Sequence, residues 1–231
     1  MLQTKVKSVL VVAAHPDDEV LGCGGTLKKI SKIGAEVNAV FISDGVSSRK
    51  MNKKKYKNEI IYRRKACIKA SKILGVKKTI FFDLPDNALD TVPLLKIIKL
   101  INPIIKKYKP DTIFTHCSDD LNIDHHIVNK AVVTACRPIK GNSVKTLLFF
   151  EVPSSTEWKI INKKKQFIPN WFENIEKELK TKIKALKVYK KELRKWPHPR
   201  SIKGVTALAE WRGATAGYSA AEAFSLGRKI K

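Results

Sequence analysis

The sequence predicts an α/β protein: a mostly parallel sheet flanked by helices, with a C-terminal helical elaboration packed on the same domain. Three observations carry this expectation. Short apolar runs alternate with longer amphipathic stretches, the order that strand–helix–strand units require. Helix stop signals fall between them, as at Gly75 after "EIIYRRKACIKASKIL". At 231 residues the chain can bury one large core, and no repeat or low-complexity linker divides it. The expected organisation is one domain over 1–231, with an α/β core at 1–153 and a helical extension at 154–231.

Taken in order, Ser8 to Ala14 is apolar and β-branched enough for a first strand, and Glu19 to Ile33 has helical spacing. Glu36 to Ser43 gives a second strand, Glu59 to Leu74 a helix and Thr79 to Phe82 a short strand. Leu94 to Tyr108 is helical, Thr112 to His116 a strand, Asp124 to Ala135 a helix, and Thr146 to Val152 a further strand. After Pro153 a basic helical stretch runs from about Trp171 to Lys195. The turn-rich "WPHPRS" follows, then "ALAEWRGATAGYSAAEAFSLGRKI", whose small and aromatic residues are spaced for helix packing.

Composition bounds the partners. The net charge is +25, but 38 Lys stand against 8 Arg, gathered in runs such as "RKMNKKKYK" and "INKKKQF". Bidentate phosphate and base-reading sites favour arginine, so no specific nucleic acid is expected and the lysines read as a solvated surface. No apolar run approaches the roughly 20 residues of a membrane span, and a cytoplasmic location is expected. Cys23, Cys67, Cys117 and Cys136 lie far apart with no C-x-x-C pair, which indicates neither a disulfide framework nor a cysteine-based zinc site.

The chemistry-bearing stretch is "VLVVAAHPDDEVLGCGGTL" (9–27), where a strand runs straight into His15, Asp17, Asp18 and Glu19. In an open α/β sheet, functional loops lie at the carboxyl ends of strands. One acid at a helix N-terminus would serve as a cap. His15 and Asp18, three apart, with Asp17 between them, suit a divalent metal better: two ligands and a carboxylate free to handle a proton. Gly22, Gly24 and Gly25 follow the acids rather than the strand, so they do not form a phosphate-cradling loop and are expected to let the helix approach the sheet. A third ligand is expected in "THCSDDLNIDHHIVNKAV" (115–132), which holds His116, His125 and His126. Asp124 could there fix a neighbouring imidazole.

These residues carry a family resemblance. "AHPDDEVLGCGGTL" resembles the signature of the LmbE-like, PIG-L-type zinc-dependent N-acetylglucosaminyl deacetylases. "FISDG", "YRRKACIKASKILGV", "LPDNALDTVPL", "THCSDDLNIDHH", "FFEVPSSTEW" and "WRGATAGYSAAEAFSLGR" continue the likeness over nearly the whole chain. The resemblance implies a Rossmann-like fold and one Zn2+ per chain, another divalent metal being an alternative. The implied ligands are His15, Asp18 and His125. It implies Asp17 as general base, Asp124 in the supporting acid–base network, Arg63 as a substrate contact, and an N-acetylated sugar or glycoconjugate as substrate, with homo-oligomerisation left open.

One departure stands out. Where several relatives have His-Pro-Asp-His, this chain has Asn122-Ile123-Asp124-His125. Asparagine can donate a hydrogen bond to an oxyanion but cannot shuttle a proton, which leaves the proton return to the amine to Asp17 alone or with help from His116 or His126. Lys65-Ala66 replaces acids that often follow the arginine, and Glu151 and Glu157 flank a loop at a strand end where a substrate contact is expected. Two other readings stay open: a metal-dependent hydrolase of another amide or ester, and a non-catalytic protein whose basic surface binds polyanions.

Overall fold

β1 (Ser8–Ala13), β2 (Glu36–Ser43), β3 (Lys78–Leu84), β4 (Thr112–His116) and β5 (Thr146–Phe150) form the parallel part of a seven-stranded sheet. In this computed structural model residues 6–160 and 166–231 are described. The first five residues and most of the "INKKKQF" run lie outside them. The crossovers are α1 (Asp18–Lys32), α2 (Lys53–Leu74), α3 (Leu94–Tyr108) and α4 (Ile123–Ala135). Strand order is β3-β2-β1-β4-β5-β7-β6. Val11 of β1 pairs with Ala39 on one side and Phe114 on the other. The winding reverses between β1 and β4, and at their carboxyl ends this opens the crevice where α/β sheets bind ligands.

Both faces of β1 are buried, which explains its unbroken apolar run. Val9, Val11 and Ala13 join Leu27 and Ile30 of α1 and Cys67, Ala70 and Leu74 of α2 in one core. Leu10 and Val12 face Ile97, Ile101 and Ile105 of α3 and Val128 and Val132 of α4 in the other. The alternation along the strand thus sorts the helices onto opposite faces.

The C-terminal part is less helical than the sequence predicts. β6 (Trp171–Asn174) occupies the start of the expected helix, which shrinks to α5 (Leu179–Leu186). After α6 (Ile202–Thr215), the expected helical tail is instead β7 (Ala221–Lys229). β7 lies antiparallel to both β5 and β6, with Phe150 opposite Phe224. Its Phe224 meets Phe114 edge-on with ring centroids 5.1 Å apart, so cross-strand packing outweighs the helix preference of Ala, Glu and Leu.

α1 is interrupted at Cys23, whose φ of −145° and ψ of 16° leave the helical region. The interruption frees backbone groups that a continuous helix would pair. The Glu222 carboxylate on β7 accepts the N–H groups of Gly25 and Thr26 at 2.8 and 2.7 Å. Lys182 on α5 donates to the Leu21 carbonyl at 2.8 Å and to Glu222 at 2.6 Å. The expected close packing of this glycine segment holds at Gly22, where a Cβ would strike the Phe150 ring, and at Gly25, where it would come within 2.8 Å of Ile175.

Candidate metal centre

The loop after β1 and the loop and first turn after β4 meet at the crevice. His15 leaves the end of β1, Asp18 opens α1 and His125 sits in the first turn of α4. One donor atom from each of the three lies within 4.8 Å of the others, and all three residues are buried. His15 Nδ1 is 3.2 Å from Asp18 Oδ2, and His125 Nε2 is 3.5 Å from it. Among the described residues Asp18 Oδ1 and His125 Nε2 have no hydrogen-bond partner although both are buried. Buried polar atoms are seldom left so.

The opposite nitrogen of each imidazole meets a carboxylate. His15 Nε2 is 3.1 Å from Asp86 and 3.1 Å from Asp124, and His125 Nδ1 is 3.1 Å from Asp120. Asp124 therefore fixes His15 rather than the adjacent His125, which Asp120 serves. Asp124 is itself held by the N–H groups of Asn87 at 2.8 Å and Leu89 at 2.9 Å, and Asp120 accepts from the hydroxyls of Ser155 and Thr156. Burial alone would raise the carboxyl of Asp86, but the hydrogen bond and charge of His15 outweigh it and hold Asp86 at about 2. An imidazole with one nitrogen toward a shared point and the other on a carboxylate is the usual setting of a metal-ligating histidine. The unpartnered oxygen and nitrogen, the hard and borderline donor types, and the surrounding acids fit a divalent cation such as zinc.

Asp17 lies beside this cluster in a strained conformation, with φ +126° and ψ −25°, a region that L side chains rarely adopt. Its N–H is taken by Glu19 at 2.9 Å, and Glu19 in turn accepts from the Tyr189 hydroxyl at 2.6 Å. Burial pushes Glu19 up to about 8. Both oxygens of Asp17 meet arginines: Arg63 at 3.1 Å on Oδ1 and Arg200 at 3.3 Å on Oδ2.

The other expected site residues are placed as follows. Arg63 is buried and also donates to the carbonyls of Pro16 and Gly45, so it holds the Asp17 loop. Asn122 caps α4: its Oδ1 accepts the Asp124 N–H at 2.9 Å and its Nδ2 donates to Asn87 at 2.8 Å. His116 is buried, accepts the Ala14 N–H through Nε2 at 2.8 Å, and stacks on His125 with centroids 3.9 Å apart. His126 bonds the Asp120 carbonyl instead of entering the cluster. Glu151 forms a two-point pair with Arg212 at 2.7 Å, and Glu157 caps the backbone at Ser154.

Asp86, Asp120 and Arg200 were not singled out by sequence reasoning. Asp86 stood in the quoted "LPDNALDTVPL" and Asp120, beside Asp119, in "THCSDDLNIDHH", but neither has a spacing that ties it to an imidazole. Arg200 sits in "WPHPRS" with no spacing to mark it.

Comparison with known proteins places the chain in a family. Residues 10–136 match the family model described as "PIG-L: GlcNAc-PI de-N-acetylase". The protein named "Uncharacterized deacetylase YaiS" from Escherichia coli K12 is 31% identical over 192 residues, covering 80% of this chain and 92% of that protein. Among solved structures, the N,N'-diacetylchitobiose deacetylase of Pyrococcus horikoshii superposes with a TM-score of 0.78 at 22% identity, over 96% of this chain and 84% of that one. GalB, the 4-carboxy-2-hydroxymuconate hydratase of Pseudomonas putida KT2440, does so with a TM-score of 0.74 at 21% identity, over 97% and 98%. These two establish the fold alone, and a fold shared by a deacetylase and a hydratase leaves the chemistry to the site. The family match spans the strands and turns that build this site, and the chain belongs to the PIG-L family of de-N-acetylases.

Proposed function

We propose that this protein is a zinc-dependent hydrolase that removes the acetyl group from an N-acetylated sugar or sugar conjugate. The carrying observation is the convergence of His15, Asp18 and His125 on one point beside Asp17. His15, Asp18 and His125 would hold the metal, which when bound polarises the acetyl carbonyl and lowers the pKa of a water to about 7. The chain's own groups do the rest. Asp17 takes a proton from the attacking water, and its orientation is fixed by Arg63 and by its own N–H on Glu19. Once protonated, Asp17 returns that proton to the departing amine as the C–N bond breaks and acetate forms. Asp124, Asp86 and Asp120 keep the two imidazoles oriented. Asn122, with its oxygen capping α4 and its amide nitrogen already donating once, keeps one N–H for a substrate oxygen. The pairing of β7 with β5 supports reading residues 154–231 as part of the same domain as the α/β core.

Acetate release from a panel of N-acetylated sugars, oligosaccharides and sugar nucleotides tests this reading. Zinc-loaded protein should release acetate from at least one, and a chelator should abolish release. Acetate from none of them would end the deacetylase reading. His15→Ala and His125→Ala should each carry well below one zinc per chain, and full occupancy in both would refute the ligand set.

A further inference from the structure

Arg63 is buried and spends its donors on Pro16 and Gly45 as well as on Asp17, and Asn122 spends its side chain on capping α4 and on Asn87. A cation facing the open side of Asp17 must therefore come from elsewhere, and one is present. Arg200 arrives from the loop before α6 and places Nη1 3.3 Å from Asp17 Oδ2, the oxygen that Arg63 leaves free. Its side chain keeps 21% exposure, against 7% for Arg63.

The loop is built to hold it. Arg200 Nε donates to the Pro153 carbonyl at 3.2 Å, and its N–H donates to His198 Nδ1 at 3.1 Å. The next residue, Ser201, caps α6 through the Gly204 N–H at 2.9 Å. Gly204 lies so close to Pro199 that a Cβ there would meet its carbonyl oxygen at 2.5 Å, which fixes the loop against the helix. Among the described residues the outer nitrogen, Nη2, makes no hydrogen bond, so one donor of an anchored guanidinium is left for a ligand.

We propose that Arg200 is a catalytic residue of the deacetylation, donating a hydrogen bond to the acetyl oxygen as it becomes negative and supplying the charge that Asn122 cannot. This inference rests on the deacetylase reading. Water adds to the carbonyl carbon, the π electrons pass to the oxygen, and Arg200 meets that charge without giving up its own proton, because a guanidinium stays protonated at any working pH. The released proton goes to Asp17 and then to the amine nitrogen. Arg200 thus serves the transition state more than the bound amide, and its removal should lower kcat and leave KM nearly unchanged.

Steady-state kinetics of Arg200→Ala and Arg200→Lys are to be measured on a sugar that the native protein deacetylates, with zinc content and circular dichroism as controls. Arg200→Ala should lose about 100-fold or more in kcat with KM within about threefold. Added guanidinium should restore part of the loss, and it should restore nothing in Asp17→Asn. Arg200→Ala should also bind a tetrahedral anionic phosphonamidate analogue of the acetamide at least tenfold more weakly, a readout that needs no turnover. Native-like kcat in Arg200→Ala, or a loss that tracks zinc content and ignores guanidinium, would overturn the proposal. Failure of the native protein on every sugar would instead overturn the deacetylase reading beneath it.

Discussion

Asp17 combines a strained backbone with a carboxylate pinned between two arginines. A residue at φ +126° costs of order 1–3 kcal/mol unless it is glycine. Asp17→Gly should therefore unfold at higher urea than Asp17→Ala, by about 1 kcal/mol, although both lack the carboxylate. Equal midpoints would show that the strain is absent in solution. Asp17→Asn keeps the shape, and its acetate release should fall by about 100-fold or more while zinc content stays at one per chain. At this scale the sequence was informative where chemistry has a spacing. His15, Asp17 and Asp18 lie within four residues at a strand end, and the third candidate ligand was narrowed to one segment. Asp86, Asp120 and Arg200 reach the same point through separate loops, and nothing local distinguishes a loop acid that grips an imidazole from one in solvent. The pairing of Asp124 with His15 rather than His125 is likewise a tertiary fact, joining residues 109 apart.

At the level of elements, the interruption in α1 matters most. Its first turn carries Asp18 and Glu19 as a short unit, and Lys182 and Glu222 occupy the backbone groups that the break exposes. Both side chains are almost fully buried, so removing one leaves an uncompensated charge. Glu222→Ala should cost about 3–5 kcal/mol in urea unfolding, and the Lys182→Met/Glu222→Gln double variant clearly less than the sum of the singles. Additive losses would show that the two do not act as a pair. The parallel strands and their helices were legible because both faces of the sheet are covered and the apolar runs are long. Leu94–Tyr108 and Thr112–His116 match the expected bounds. β7 was not legible, because "AEAFSLGRK" is rich in helix formers and becomes a strand only because β5 and β6 offer it two ladders.

For the whole molecule, a ligand that binds only the folded chain adds stability by mass action. If zinc is the metal held by His15, Asp18 and His125, at 100 times its dissociation constant it should contribute about 2.7 kcal/mol, a rise of roughly 5–10 °C in Tm for a chain of this size. Calorimetry with and without zinc checks this, and the shift should vanish in His125→Ala. All four cysteines are buried, with Cys117 and Cys136 pushed up to about 12 by burial. A thiol reagent should thus find none within minutes in the folded protein and four after denaturation; rapid labelling of the native state would contradict this packing. The longest-range of these contacts also sets an order of events. The bonds from Gly25 and Thr26 to Glu222 span 197 and 196 residues, so the interrupted α1 that opens with Asp18 is completed by the strand that comes last of the seven in chain order. A ribosome that has emitted everything up to α6 displays both halves of the metal centre and still lacks the strand that locks the first of them in place. Stalled nascent chains exposing residues to 215 should capture zinc far more weakly than those exposing residues to 231, which would place metal binding after the emergence of β7.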